Sequence, residues 1–159
     1  PHLILGRCGA GFVATGPQGE LVAYGYAIPP DFVDSTPSAE AWALSIVVNA
    51  TLARRAIHTD CMSNVSSLKN GRLWATGHLR PHARIWSTVF GAVGDGNTEW
   101  LVWMPAHTSR AMIGHTRKRG GTLVTAIDHR GNALADAPAK HAANAHAVPK
   151  HIQPSLIHT

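Results

Sequence analysis

The sequence predicts an α/β domain with a mixed central sheet and helices on both of its faces. Three observations predict it. The opening third reads as paired strands around a glycine turn, strand and helix patterns alternate later in the chain, and the composition supports a core. The chain has 159 residues, 45% apolar and only 14% charged. That is globular rather than disordered, and it fits one domain. We expect this domain over residues 1–148, followed by a loosely held tail over 149–159.

Each element has its own signal. Residues 9–16 and 21–28 are rich in β-formers, and Gly16-Pro17-Gln18-Gly19 between them is a turn sequence, so they form a hairpin. A short strand over 2–5 precedes it. Thr36 reads as an N-cap with Pro37 at the first helical position. Trp42, Ala43, Ile46, Val47 and Ala50 follow at helical spacing, and Arg54-Arg55 close the last turn, giving a helix over 37–54. Residues 56–59 are a strand ending at Asp60. Residues 62–69 form a helix stopped by Asn70-Gly71. A helix over 83–93 and a strand over 99–104, ending at Pro105, come next. Residues 108–130 hold three glycines and a basic cluster and read as a long loop. Residues 132–147 are helical in composition, with Pro138 inside. An interior proline costs about 3 kcal/mol. The helix therefore starts either at Asn132 or near 137, with Asp136 as its cap.

Composition narrows the function classes. No run of about 18 apolar residues exists, so no transmembrane helix and no membrane partner are expected. Residues 1–5 lack the length and basic leader of a signal peptide. Cys8 and Cys61 form no C-x-x-C pair, which argues against a zinc ribbon or thioredoxin-type site. Two isolated thiols fit an intracellular, reducing setting, nucleus or cytoplasm. The opening Pro1, in place of Met, leads us to expect a portion of a longer product. The net charge of +5 suits a polyanionic partner without requiring one. His141, His146, His151 and His158 match no zinc spacing.

Acidic residues are few, and three fall where open α/β sheets build sites: Glu40 at a helix start, Asp60 at a strand end, and Asp136 at the start of the last helix. Gathered together, they would repel one another unless cations neutralised them. Mg²⁺ suits such hard oxygen donors, with Mn²⁺ as a substitute. Each acid also fits a plain structural role. The helix dipole favours Glu40, Asp60 suits a helix cap, and Asp136 suits the surface.

Five segments, in order, resemble the ribonuclease H type 1 family in its retroelement form. Residues 9–28 resemble its opening hairpin. Ser38-Ala39-Glu40-Ala41-Trp42-Ala43-Leu44 resembles its first-helix motif, and Ile57-His58-Thr59-Asp60-Cys61 a strand ending in a metal-binding aspartate. Leu101-Val102-Trp103-Met104-Pro105-Ala106-His107 resembles its W-V-x-G-H strand. Gly131-Asn132-Ala133-Leu134-Ala135-Asp136 resembles its G-N-x-x-A-D helix start. The resemblance covers roughly residues 9 to 147. It implies a ribonuclease H-like fold of about five strands and a Mg²⁺-dependent endonuclease that cuts the RNA of RNA–DNA hybrids. It implies metal ligation by Glu40, Asp60 and Asp136, with His107 assisting turnover, and places the chain in a larger reverse transcriptase polyprotein.

Nucleic acid would be held mainly through phosphates. One candidate surface is Lys69, Arg72, Arg80 and Arg84 with Trp74, flanked by His78 and His82. A second is Arg117, Lys118 and Arg119. Either also fits an ordinary solvated face. Ser63 and Asn64 are candidates for 2′-hydroxyl contacts. The chain departs from the family in three ways. Leu3-Ile4-Leu5-Gly6-Arg7-Cys8-Gly9 holds no acid where the family has an aspartate. The gap between His107 and Asp136 is 28 residues, longer than usual. Pro138 replaces a helix former. These departures motivate a second expectation, a catalytically degenerate ribonuclease H-like module that binds nucleic acid or scaffolds a partner.

Overall fold

The structure is a computed structural model describing residues 8–51 and 56–145. In chain order its elements are β1 (Ala10–Thr15), β2 (Leu21–Ala27), α1 (Thr36–Ala50), β3 (Ile57–Thr59), α2 (Met62–Asn70), α3 (Arg72–Ala75), α4 (Ala83–Val93), β4 (Leu101–Trp103), a 3₁₀ turn at Arg110–Met112, and α5 (Ala126–Ala145). The strand expected over 2–5 and the tail from 149 lie outside the described residues, as do Arg54-Arg55, but the helix expected over 37–54 ends earlier, at Ala50, where Thr51 turns extended.

β1 and β2 form the expected antiparallel hairpin, with Phe12 opposite Gly25. The Phe12 ring lies where a side chain at residue 25 would stand, so any larger residue there would force the ring to move. The Gly19 amide donates to the Gly16 carbonyl at 2.9 Å. Gly19 has φ +79°, which glycine adopts without cost. β3 and β4 pair in parallel, Ile57 opposite Leu101. The described residues thus form a mixed α/β architecture with one antiparallel and one parallel strand pair.

The core explains the helices. Leu44 of α1, Val65 and Leu68 of α2, and Trp86, Val89, Phe90 and Val93 of α4 bury against Trp100 and Leu101. Each such side chain contributes about 1.5–3 kcal/mol on leaving water. The apolar positions of α4 recur at three- and four-residue intervals, so this helix starts and stops where its pattern does. α2 ends at Gly71, whose φ of +83° makes it a natural stop.

Two helix starts differ from expectation. The N-cap of α1 is Ser35, one residue before Thr36. Ser38 Oγ accepts the Ser35 amide at 3.0 Å, so the Ser35/Ser38 pair fixes the start. Glu40 is consequently the fifth residue of α1, beyond its first turn. α5 begins at Ala126 rather than Asn132 or 137 and runs through Pro138. Thr125 and Asp128 set this start. The Thr125 amide donates to Asp128 Oδ2 at 2.8 Å, and the Asp128 amide donates back to Thr125 Oγ1 at 3.1 Å. This reciprocal pair satisfies two amides that a helix start otherwise leaves open. Asp136 therefore lies in the middle of a helix and caps nothing.

α5 lies directly on β1. A side chain at Gly9 or Gly11 would run into the α5 backbone at Ala139. Glycines on the strand and alanines on the helix let the two backbones approach closely, and this contact holds α5 in place despite the hydrogen bond lost at Pro138. The Pro138 ring is buried in an apolar groove of about 480 Å³, lined also by Val13, Tyr24, Tyr26 and His141.

Candidate functional site

Glu40, Asp60 and Asp136 come from three separate elements: α1, the end of β3, and α5. They act on one another across space. Burial, then the charges of Asp60 and Asp136, push the Glu40 carboxyl up to about 7. At neutral pH this side chain is close to half protonated, a state that like charges in a poorly solvated place produce. Asp60 is half-buried and held through its backbone, its carbonyl accepting Trp103 Nε1 at 3.1 Å. Asp136 is more open, with Lys140 Nζ 3.7 Å from Oδ2 one helical turn on. Glu40 thus feels the charge of both other acids read from the sequence. Their donor chemistry, all carboxylate oxygen, fits a hard divalent cation. Among the described residues, no three His, Cys, Asp or Glu side chains are gathered tightly enough to enclose an ion. Any ion here therefore depends on further oxygen ligands, from water or phosphate.

His107 stands in the exposed turn after β4, with φ +50°. A left-handed backbone at a residue other than glycine is uncommon, and it turns the chain sharply just past the strand.

The basic residues divide into open and committed groups. Lys69 is exposed at the end of α2. Arg80 stacks over Trp74 at 3.6 Å and Arg84 over Phe32 at 4.8 Å, both with exposed side chains. Such stacking holds a guanidinium in place while leaving its charge available. Arg72 is committed instead: Nε donates to Asp95 Oδ1 and Nη2 to the Phe90 carbonyl, each at 2.8 Å. From Cys61 to Gly94 the chain holds no acid at all. In the second group, Arg117 donates to the Gly121 carbonyl. Arg119 is half-buried and Lys118 points inward. Lys118 has a side chain only 9% exposed and pairs with Asp128 at 2.8 Å, so reaching a phosphate would mean breaking a buried ion pair. Asn64 is 2% exposed, which removes it from any surface contact with a 2′-hydroxyl.

Sequence reading missed Asp128 and His58. Asp128 is buried and takes Lys118 Nζ, the Thr125 amide and the Thr125 hydroxyl on Oδ2, each at 2.8 Å, with His58 Nδ1 3.2 Å from Oδ1. Burial works against its ionisation, but Lys118, Thr125 and His58 outweigh that and hold the carboxyl below its ordinary range. Burial, together with Lys118, holds the His58 imidazole below its usual pKa despite the pull of Asp128. The signal for Asp128 was the Thr125-x-x-Asp128 spacing, a helix-start pattern inside a segment read as loop.

Compared with described protein families, with curated proteins and with solved structures, the chain matches none. Among the described residues, no helix is long and apolar enough to cross a membrane.

Proposed function

We propose that this chain is a Mg²⁺-dependent endonuclease domain of the ribonuclease H type 1 kind, cutting the RNA strand of RNA–DNA hybrids within a retroelement polyprotein. What supports this reading is the order of the five motif segments together with the charges of Asp60 and Asp136, from two distant stretches of chain, both raising the Glu40 carboxyl. A carboxyl raised by like charges is costly to ionise unless a cation offsets them. Glu40, Asp60 and Asp136 would hold Mg²⁺, which supplies charge neutralisation and a polarised water for phosphodiester cleavage. Glu40 would also orient the attacking water near the scissile phosphate. Lys69, Arg80 and Arg84 would bind phosphates, and the Trp74 ring under Arg80 fixes one of these charges. Arg117 and Arg119 add a lesser basic flank. His107, exposed beyond β4, would assist product departure.

The test is cleavage of a labelled RNA–DNA hybrid in Mg²⁺, comparing the natural chain with Asp60→Asn. Loss of one metal-binding carboxylate removes several kcal/mol of transition-state stabilisation, so cleavage should fall about a hundredfold or more. Equal cleavage by the variant would end the reading.

A second reading is favoured by two specific observations. No acid occupies residues 3–9, and the three carboxylates do not form a closed ligand set among the described residues. In this reading the chain is a degenerate ribonuclease H-like module that binds hybrid without cutting it. Salt-sensitive binding with no cleavage even in Mn²⁺ selects it. No binding at low salt leaves a scaffold for a protein partner.

A further inference from the structure

We infer that Asp128 is a positioning residue: by tying β3, the 117–123 loop and the start of α5 together, it sets the separation of Asp60 from Asp136. The inference takes its functional meaning from the proposed cation site, while its structural part stands without it.

The two oxygens of Asp128 reach different elements. Oδ1 faces His58 Nδ1 at 3.2 Å, and His58 lies on β3 two residues before Asp60. In an extended strand, two residues span about 6.6 Å and return to the same face. Oδ2 takes the Thr125 amide and hydroxyl, which fixes the start of α5. Asp136 follows eight residues later, about 12 Å along a rigid helix. The same Oδ2 takes Lys118 Nζ at 2.8 Å. The loop that carries Lys118 is itself fastened to β4, the neighbour of β3, because the Arg119 amide donates to the Trp103 carbonyl at 3.0 Å. One buried carboxylate therefore joins the strand that ends at Asp60 to the helix that carries Asp136.

Burial makes this joint stiff. The Asp128 side chain is 3% exposed and that of Lys118 is 9% exposed. Neither can swing into solvent without abandoning a charged partner in a poorly solvated place, which strongly disfavours partial opening. Hydrogen bonds to a charged acceptor are also among the stronger ones. Among the described residues, the polar contact that joins α5 to β3 is His58–Asp128. The glycine-lined packing of α5 on β1 sets how close the helix lies. The Asp128 contacts set how far along and around its axis it sits relative to β3.

The test uses the full chain without nucleic acid and has two readouts. One is Mn²⁺ affinity by calorimetry. The other is the set of backbone amide NMR signals near residues 60–61 and 135–137 in metal-free protein. The variants are Asp128→Asn and the double variant Lys118→Met with Asp128→Asn, which leaves no buried charge unpaired and so should fold even where the single variant does not. Val93→Ala, in the core away from this joint, supplies a destabilised control. Both Asp128 variants should move the amide signals at both places and weaken Mn²⁺ binding about tenfold, as loss of a ligand-orienting partner does. Val93→Ala should do neither. A folded double variant with unmoved amide signals at both places and natural Mn²⁺ affinity overturns the inference. If the natural chain binds no Mn²⁺, the cation reading fails on its own account, and the amide signals decide the role of Asp128.

Discussion

Glu40 and Asp128 are two carboxylates largely withdrawn from water, and their surroundings push them in opposite directions. Glu40 is met by Asp60 and Asp136 and rises to about 7. Asp128 is met by Lys118, Thr125 and His58 and stays ionised below the ordinary range. The lesson is that withdrawal from water does not by itself say what an acid is for. Asp128 has every partner it needs inside the protein and works as a fastener. Glu40 has like charges for neighbours and gains nothing from being ionised.

Three changes break or sharpen this contrast. The largest effect is expected from Asp128→Ala. It leaves Lys118 charged and buried without its partner, which costs about 3–5 kcal/mol. Urea unfolding should show a correspondingly lower midpoint with little change of slope. Next comes pH. An acid whose carboxyl is raised by folding stabilises the fold when protonated. The Glu40 contribution is thus complete below its ordinary 4.5 and lost as pH rises to about 7, amounting to up to about 3 kcal/mol. Asp128 runs the other way, its contribution present above the ordinary carboxylate range and lost as pH falls below it. His58, held low by burial, works the opposite way in this window, so the unfolding free energy of the natural chain minus that of Glu40→Gln should fall from pH 4 to 8. A slope untouched by Glu40→Gln would remove the contrast between the two acids. The smallest effect is expected from Thr125→Ala, which deletes the helix-cap hydroxyl but leaves the Asp128 charge paired. It should cost about 1 kcal/mol, read in thermal unfolding.

How much of this was legible depended on how local the cause was. The hairpin and α4 were readable because β-formers around Gly16-Pro17-Gln18-Gly19, and apolar residues from Ile85 to Val93, carry their own periodicity. α2 ended where Asn70-Gly71 said it would. The start of α5 was misplaced because its first turns, Ala126 to Gly131, hold Asp128, His129 and Arg130 and almost no apolar pattern. A capping pair, rather than a hydrophobic face, begins that helix. Pro138 misled for a related reason. Its cost inside a helix is real, but the close seat of α5 on Gly9 and Gly11 keeps the helix continuous. The basic run Arg117-Lys118-Arg119 looked like a surface cluster, yet one of its three side chains turns inward to meet an acid ten residues away.

By itself the sequence determined the α/β class, the hairpin and its turn, and the limits of α2 and α4. Those depend on patterns within a few residues, where backbone geometry and side-chain spacing leave little choice. Only the tertiary structure decided that Asp60 and Asp136 raise the Glu40 carboxyl, that Lys118 belongs to Asp128, and that Arg72 is spent on Asp95 and Phe90. Charge interactions depend on distance through space and on access to water, and neither quantity is written in the spacing of residues along a chain.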